Sequence, residues 1–288
     1  MMNFIEALIQ YGFLQKALLT SIMVGIICGV IGCFIILRGM ALMGDAISHA
    51  VLPGVALSYI LGINFFFGAV FTGLITALGI GFISNNSRIK NDVSIGIMFT
   101  AAFASGIILI TFMKSSTDLY HILFGNVLAV RPSEMMSTLI IGIFILVSIY
   151  VFYKELLVSS FDPTMAAAYG LPTKVIHYFL MALLTLVTVA SLQTVGIILV
   201  VAMLITPAST AYLLTDRLWV MLYLSAGIGV LSAILGLYFS YTYNLASGAT
   251  IVLAATALFI LAFLFSPKQG LIWRTIKSAR KREMHAQS

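Results

Sequence analysis

The sequence predicts an all-α fold, a polytopic transmembrane bundle of eight to nine helical spans. Three observations carry that expectation. The chain has 288 residues, of which 61% are hydrophobic and only 8% charged. Its mean hydropathy is +1.13. Its apolar residues fall into runs long enough to cross a bilayer, about 20 residues each. A soluble domain carries roughly 25% charged residues. So few charges cannot keep this much apolar surface in water as a monomer. A soluble enzyme, a disordered chain, a coiled coil and a secreted disulfide scaffold are excluded together. Inside a bilayer the backbone must satisfy its own hydrogen bonds, so the runs are read as helices.

Taken in order, the spans fall at about 14–37, 41–61, 65–83, 93–113, 135–153, 175–191, 193–214, 218–240 and 249–266. Arg38-Gly39 ends the first and Gly62-Ile63-Asn64 the second. Ser84 to Asp92 reads as a polar loop, as does Thr215-Asp216-Arg217. A neutral turn is expected at 191–193 and another at Asn244 to Gly248, and Pro267 stops the last helix. His121 to Val130 is too short to span and reads as a half-helix. If one segment is re-entrant the count is eight, and the N-terminus changes side. The whole chain, 1–288, is read as a single transmembrane unit, with spans over 14–266 and a basic tail over 267–288.

Orientation follows from basic residues near helix ends. Lys268, Arg274, Lys277, Arg280, Lys281 and Arg282 face one acid, Glu283, in the tail. They place the C-terminus in the cytoplasm as a positive-inside anchor, with no nucleic-acid partner. Arg217, Lys174, Lys154, Lys90, Arg88 and Arg38 then fall on the same side. The N-terminus lacks a basic leader and a small-residue cleavage site, so no cleavable signal peptide is expected. Cys28 and Cys33 lie about 140° apart around a helix and read as small core residues.

With so few ionisable residues, each can be weighed. Asp45 and His49, in Met43-Gly44-Asp45-Ala46-Ile47-Ser48-His49-Ala50, are i and i+4 on one helix face. A charge deep in a membrane helix costs about 2.5–3.5 kcal/mol. The local pair returns only about 0.2–0.5 kcal/mol. A bound cation or a water-filled path would supply the difference. The other reading is that Asp45 caps its helix or snorkels into water. Carboxylate plus imidazole without thiolate suits Mn²⁺, Fe²⁺ or Zn²⁺. Two ligands are too few for a metal, and a symmetric dimer would double them. Pro53 offers no N–H to the His49 carbonyl, so a kink is expected beside the pair, at a possible gate. His121 faces either an entrance vestibule or the lipid interface. His177 reads as a headgroup-level residue and His285 as solvated.

Asp162-Pro163 followed by Gly170 and Pro172 specifies a short capped helix over about 162–170 in a loop on the Lys154 side. It is either an interfacial connector or a rigid knob that docks into another protein. No Gly-rich phosphate loop with a following lysine is present, so nucleotide binding is not expected from this chain. H-E-x-x-H and G-x-S-x-G are absent, which disfavours an intramembrane protease or hydrolase. A secondary transporter driven by an ion gradient would carry ionisable residues at several depths and internal repeats, and neither is evident.

Three stretches resemble the membrane permease subunits of bacterial ATP-binding-cassette importers for manganese, zinc and iron. They are Gly32 to Met40 continuing through Gly44-Asp45 and His49-Ala50 to Pro53-Gly54, then His121-Ile122-Leu123-Phe124-Gly125-Asn126, and then Val195-Gly196 to Thr206-Pro207-Ala208. The resemblance implies a type II importer permease, not itself an enzyme, in the bacterial cell membrane. It implies a second copy of the chain, two cytoplasmic ATP-binding subunits and an extracellular metal-binding lipoprotein. Asp45 and His49 of both copies would hold the transported metal, with no permanently bound cofactor. The segment with Asp162, Ala166 and Gly170 looks like the family's coupling helix. The look is closest to the manganese members, with zinc or iron as alternatives.

Overall fold

The computed structural model describes residues 4–113 and 127–266. His121, most of the expected half-helix and the basic tail lie outside the described residues. Within them the chain is helical with no strand. The helices are α1 Phe4–Gln10, α2 Gly12–Leu37, α3 Met43–Ala50, α4 Leu52–Leu61, α5 Phe65–Asn86 and α6 Asn91–Met113. After a 3₁₀ turn at Val127–Ala129 come α7 Pro132–Val151, α8 Tyr153–Phe161, α9 Pro163–Ala168 and α10 Thr173–Val195. The chain closes with α11 Ile197–Leu214, α12 Leu218–Tyr243 and α13 Ser247–Phe265. Nine candidate spans are present among the described residues, with Met43–Leu61 forming one from α3 and α4.

The breaks have local causes. Gly62 takes φ 67° to end α4, and the Asn64 side chain caps α5 by accepting from the Phe66 N–H at 2.9 Å. Several boundaries shift by two to four residues from the sequence expectation, and two of the shifts have a visible local cause. The third span runs three residues further, to Asn86. Asn86 Nδ2 donates to the Phe82 carbonyl and Ser87 Oγ to that of Ile83, so polar side chains close the helix end they were expected to follow. The turn expected at 191–193 is helix. α10 continues to Val195 and breaks at Gly196, whose φ of 81° strongly favours glycine. Two short helices were not foreseen. α1 packs through Phe4 on Tyr238, with ring centroids 5.6 Å apart, and α8 precedes the capped helix α9.

α2 and α10 form the middle of the bundle. Of their most apolar windows, 72% and 67% of residues are buried, against 17% for α6 and for α13, which lie outermost. α2 packs on α11 and α12 on one side and on α7 and α10 on the other. α10 connects this group to α3 and α5, and α6 covers α3, α4 and α5. Contact between apolar helices gains little from hydrophobicity in lipid, so close approach depends on small residues. At the α2–α12 crossing, a Cβ on Gly25 would stand 2.9 Å from the Gly229 carbonyl. Cys28 and Cys33 are buried, unbridged core residues, as expected.

Candidate metal site

Asp45 and His49 lie on α3, an eight-residue helix packed by four others. Met43, Gly44, Ala46, Ile47, Ser48 and Ala50 are buried against α5, α6, α10 and α11. The helix ends at Ala50, and Val51 separates it from α4, where Pro53 sits in the first turn. Val51 keeps right-handed helical dihedrals and its N–H still bonds the Ile47 carbonyl, so the interruption beside the pair is one turn residue within a single span. Pro53 is buried against α6, where a Cβ on Gly106 would meet its ring at 3.1 Å.

Asp45 is the third residue of α3, not its cap. Leu42 holds the cap position and makes no side-chain capping bond. Its carboxylate is in the first turn, where the helix dipole favours negative charge. The Asp45 side chain is 46% exposed and that of His49 30%, although their helix is otherwise buried. The pair thus looks out of the protomer rather than into its core. His49 Nε2 stands 3.6 Å from Asp45 Oδ1. First-row ions sit about 2.1–2.2 Å from such ligands, and an ion between these two atoms would subtend about 110–120° there. A divalent cation fits without either side chain moving far. Among the described residues no cluster of three or more His, Cys, Asp or Glu exists, so no third such side chain joins the pair there.

The His49 ring is fixed by two phenyl edges. Phe99 and Phe103, stacked one turn apart on α6, each place their centroid 5.6 Å from the imidazole at steep angles. With Gly106 they form one stripe of α6 facing α3 and α4. The sequence reading missed both phenylalanines. Their i,i+4 spacing was visible, but nothing in sequence tied that stripe to α3.

The sequence-expected coupling residues come together in α9. Asp162 Oδ1 accepts from the Thr164 and Met165 N–H groups at 3.0 and 2.9 Å and from Thr164 Oγ1 at 2.6 Å. These bonds, led by the Thr164 hydroxyl and the Met165 amide, hold its carboxyl below the usual carboxylate range. Gly170 takes φ 81°, and the Leu171 N–H bonds back to the Ala166 carbonyl to close the helix. Ala166 is buried while Met165 and Tyr169 project outward, 51% and 73% exposed. His177 is partly buried in the bundle. It meets Arg38, which also donates to Ser159 and Ser160.

The comparisons agree with this architecture. Residues 10–266 match the model of the ABC 3 transport family. The manganese transport system membrane protein MntC of Listeria innocua is 69% identical over 94% of this chain and 97% of its own. The solved structure of PsaBC from Streptococcus pneumoniae in complex with Fab shares 55% identity, with a TM-score of 0.84 over 92% of this chain and 96% of that one. A metal-chelate type ABC transporter in an inward-facing conformation, 16% identical, is alike in fold, with a TM-score of 0.68 over 86% of this chain and 84% of that one. A multi-pass helical chain with this match is a permease subunit, and it belongs to the ABC 3 transport family.

Proposed function

We propose that this protein is the pore-forming permease of an ATP-driven manganese importer, with Asp45 and His49 as the transported-metal ligands. The observation that carries the reading is the outward-looking Asp45–His49 pair, 3.6 Å apart on an otherwise buried helix. The resemblance to proteins named for manganese transport supports the choice of ion. Carboxylate and imidazole without thiolate bind Mn²⁺ well enough to select it and weakly enough to release it.

In this reading two copies face each other and both pairs surround one ion. An extracellular metal-binding lipoprotein delivers the ion, and two cytoplasmic ATP-binding subunits supply the energy. Those subunits grip α9 through exposed Met165 and Tyr169, with Asp162, Ala166 and Gly170 keeping the knob rigid. The interruption at Val51 lets α3 and α4 tilt separately, and buried Pro53 against Gly106 forms part of the gate. His121 lies near the entrance. The C-terminal tail is cytoplasmic, in the bacterial cell membrane.

The test is ⁵⁴Mn²⁺ accumulation in cells carrying Asp45→Ala. Uptake should fall to background while the complex still assembles and its ATPase still turns over. Normal accumulation would remove Asp45 from the path.

A further inference from the structure

We propose that the cavity between the α2–α3 elbow and the base of α9 binds a phosphate-bearing anion. The cavity holds about 390 Å³ and is walled by Arg38, Asn85, Asn91, Ser159, Ser160 and Lys174, among others. His177 and Thr173 also line it, and no carboxylate does. That volume lies within the range of small-ligand sites.

Arg38 is half-buried, and its donors go only to neutral groups. Nε donates to Ser160 Oγ at 3.1 Å and NH2 to Ser159 Oγ at 3.0 Å. NH1 meets His177 Nδ1 at 3.4 Å. A guanidinium can only donate, so Nδ1 accepts and the neutral ring carries its proton on Nε2. That Nε2 is itself buried without a partner. Burial pulls the Arg38 pKa down to about 10, which still leaves it cationic at neutral pH. A buried charge is ordinarily paired, and no acid among the described residues pairs with Arg38 or Lys174. The acids adjoining this wall are committed elsewhere or turned away. Asp162 caps α9, and neither Glu155 nor Asp92 lines the cavity.

The cluster therefore has surplus donors and surplus positive charge around an open space, the requirement of a phosphate. Arginine's planar fork and lysine's mobile ammonium both suit it. The site ties the elbow seven residues before Asp45 to the two serines before α9. An anion there would brace the metal helix against the coupling helix. Two sources share the chemistry, an anionic lipid headgroup and a soluble phosphate. The basic-residue count puts the cavity on the cytoplasmic side, where both occur.

The test uses the full-length protein in neutral detergent with the subunits that copurify. Native mass spectrometry measures phosphatidylglycerol against phosphatidylcholine, and equilibrium dialysis measures ³²P-labelled inorganic phosphate. Saturable phosphatidylglycerol binding at least tenfold tighter than phosphatidylcholine identifies the lipid. Saturable phosphate binding without lipid preference identifies the soluble ion. In either case Arg38→Gln and Lys174→Gln should each weaken binding about tenfold or more. Lys174 is exposed, so its variant decides the matter if Arg38→Gln fails to fold. Binding of neither probe, as when a partner subunit's carboxylate fills the cavity, overturns the proposal. So does binding that Lys174→Gln leaves unchanged.

Discussion

His49 gains its orientation from Phe99 and Phe103 rather than from a hydrogen bond, because its Nδ1 is buried and has no partner. Each edge-on aromatic contact is worth about 0.5–1.5 kcal/mol, a factor of about 2 to 10 in an equilibrium. Phe103→Ala should therefore raise the apparent KM for Mn²⁺ uptake several-fold with protein levels unchanged. An unaltered KM would mean that the ring is held by something else. Asp162 works by hydrogen bonding to backbone at the start of α9. Since its carboxyl is depressed in the folded chain, the cap is fully in force above the ordinary carboxylate range. It is lost only as pH falls through the lowered value. Amide exchange at Thr164 and Met165 should thus keep its protection at every pH where transport is normally assayed. Asp162→Ala should lose that protection and uncouple uptake from ATP hydrolysis, and retained coupling would count against the knob.

Among the elements, α2 and α12 depend on the absence of side chains where they cross. A Cβ on Gly25 would fall 2.9 Å from the Gly229 carbonyl, backbone that cannot step aside. Gly25→Leu should lower the thermal midpoint in detergent by an amount matching about 1–3 kcal/mol or more of overpacking. Gly227→Ala, which meets nothing within 4 Å, should not. Equal midpoints for the two variants would contradict the close crossing. The spans themselves were legible, because length and hydropathy are properties of a run. The capped helix α9 was legible because Asp162, Pro163 and Gly170 each act locally. Turn position was harder. Ser191-Leu192-Gln193 looks polar enough to leave the membrane, yet Ser191 is buried and its hydroxyl lies 3.8 Å from Cys28 Sγ on α2. The turn falls instead at Gly196, where backbone conformation decides. The Asp45–His49 pair was legible from i,i+4 spacing, and the interruption before Pro53 from the missing N–H. Neither the phenyl walls from α6 nor the Arg38 cluster could be read, since both depend on which helices become neighbours.

At the scale of the molecule, the proposed metal site is only half-complete in one protomer. Asp45 is 46% exposed, and α6 walls the pair while leaving most of its own surface uncovered, including Ile97, Ile107 and Ile108. Exposed apolar surface could face lipid equally well, but an exposed carboxylate at the start of its span would have to reach water or a cation to avoid the cost of facing hydrocarbon. A second copy related by a two-fold axis resolves this, because a self-complementary face brings each pair opposite its mate. In the proposed dimer four ligands would surround one ion, and the carboxylate charge would be met by the cation instead of hydrocarbon. The arrangement fixes a stoichiometry. Purified transporter saturated with Mn²⁺ and freed of excess ion should hold one metal per two chains by elemental analysis, and Asp45→Ala should hold none. One metal per chain would mean that each protomer completes its own coordination with water or backbone, and the two-copy site would be wrong. His49→Ala should leave the dimer intact by mass photometry while abolishing the bound metal, which separates loss of the ion from loss of the interface that creates the path.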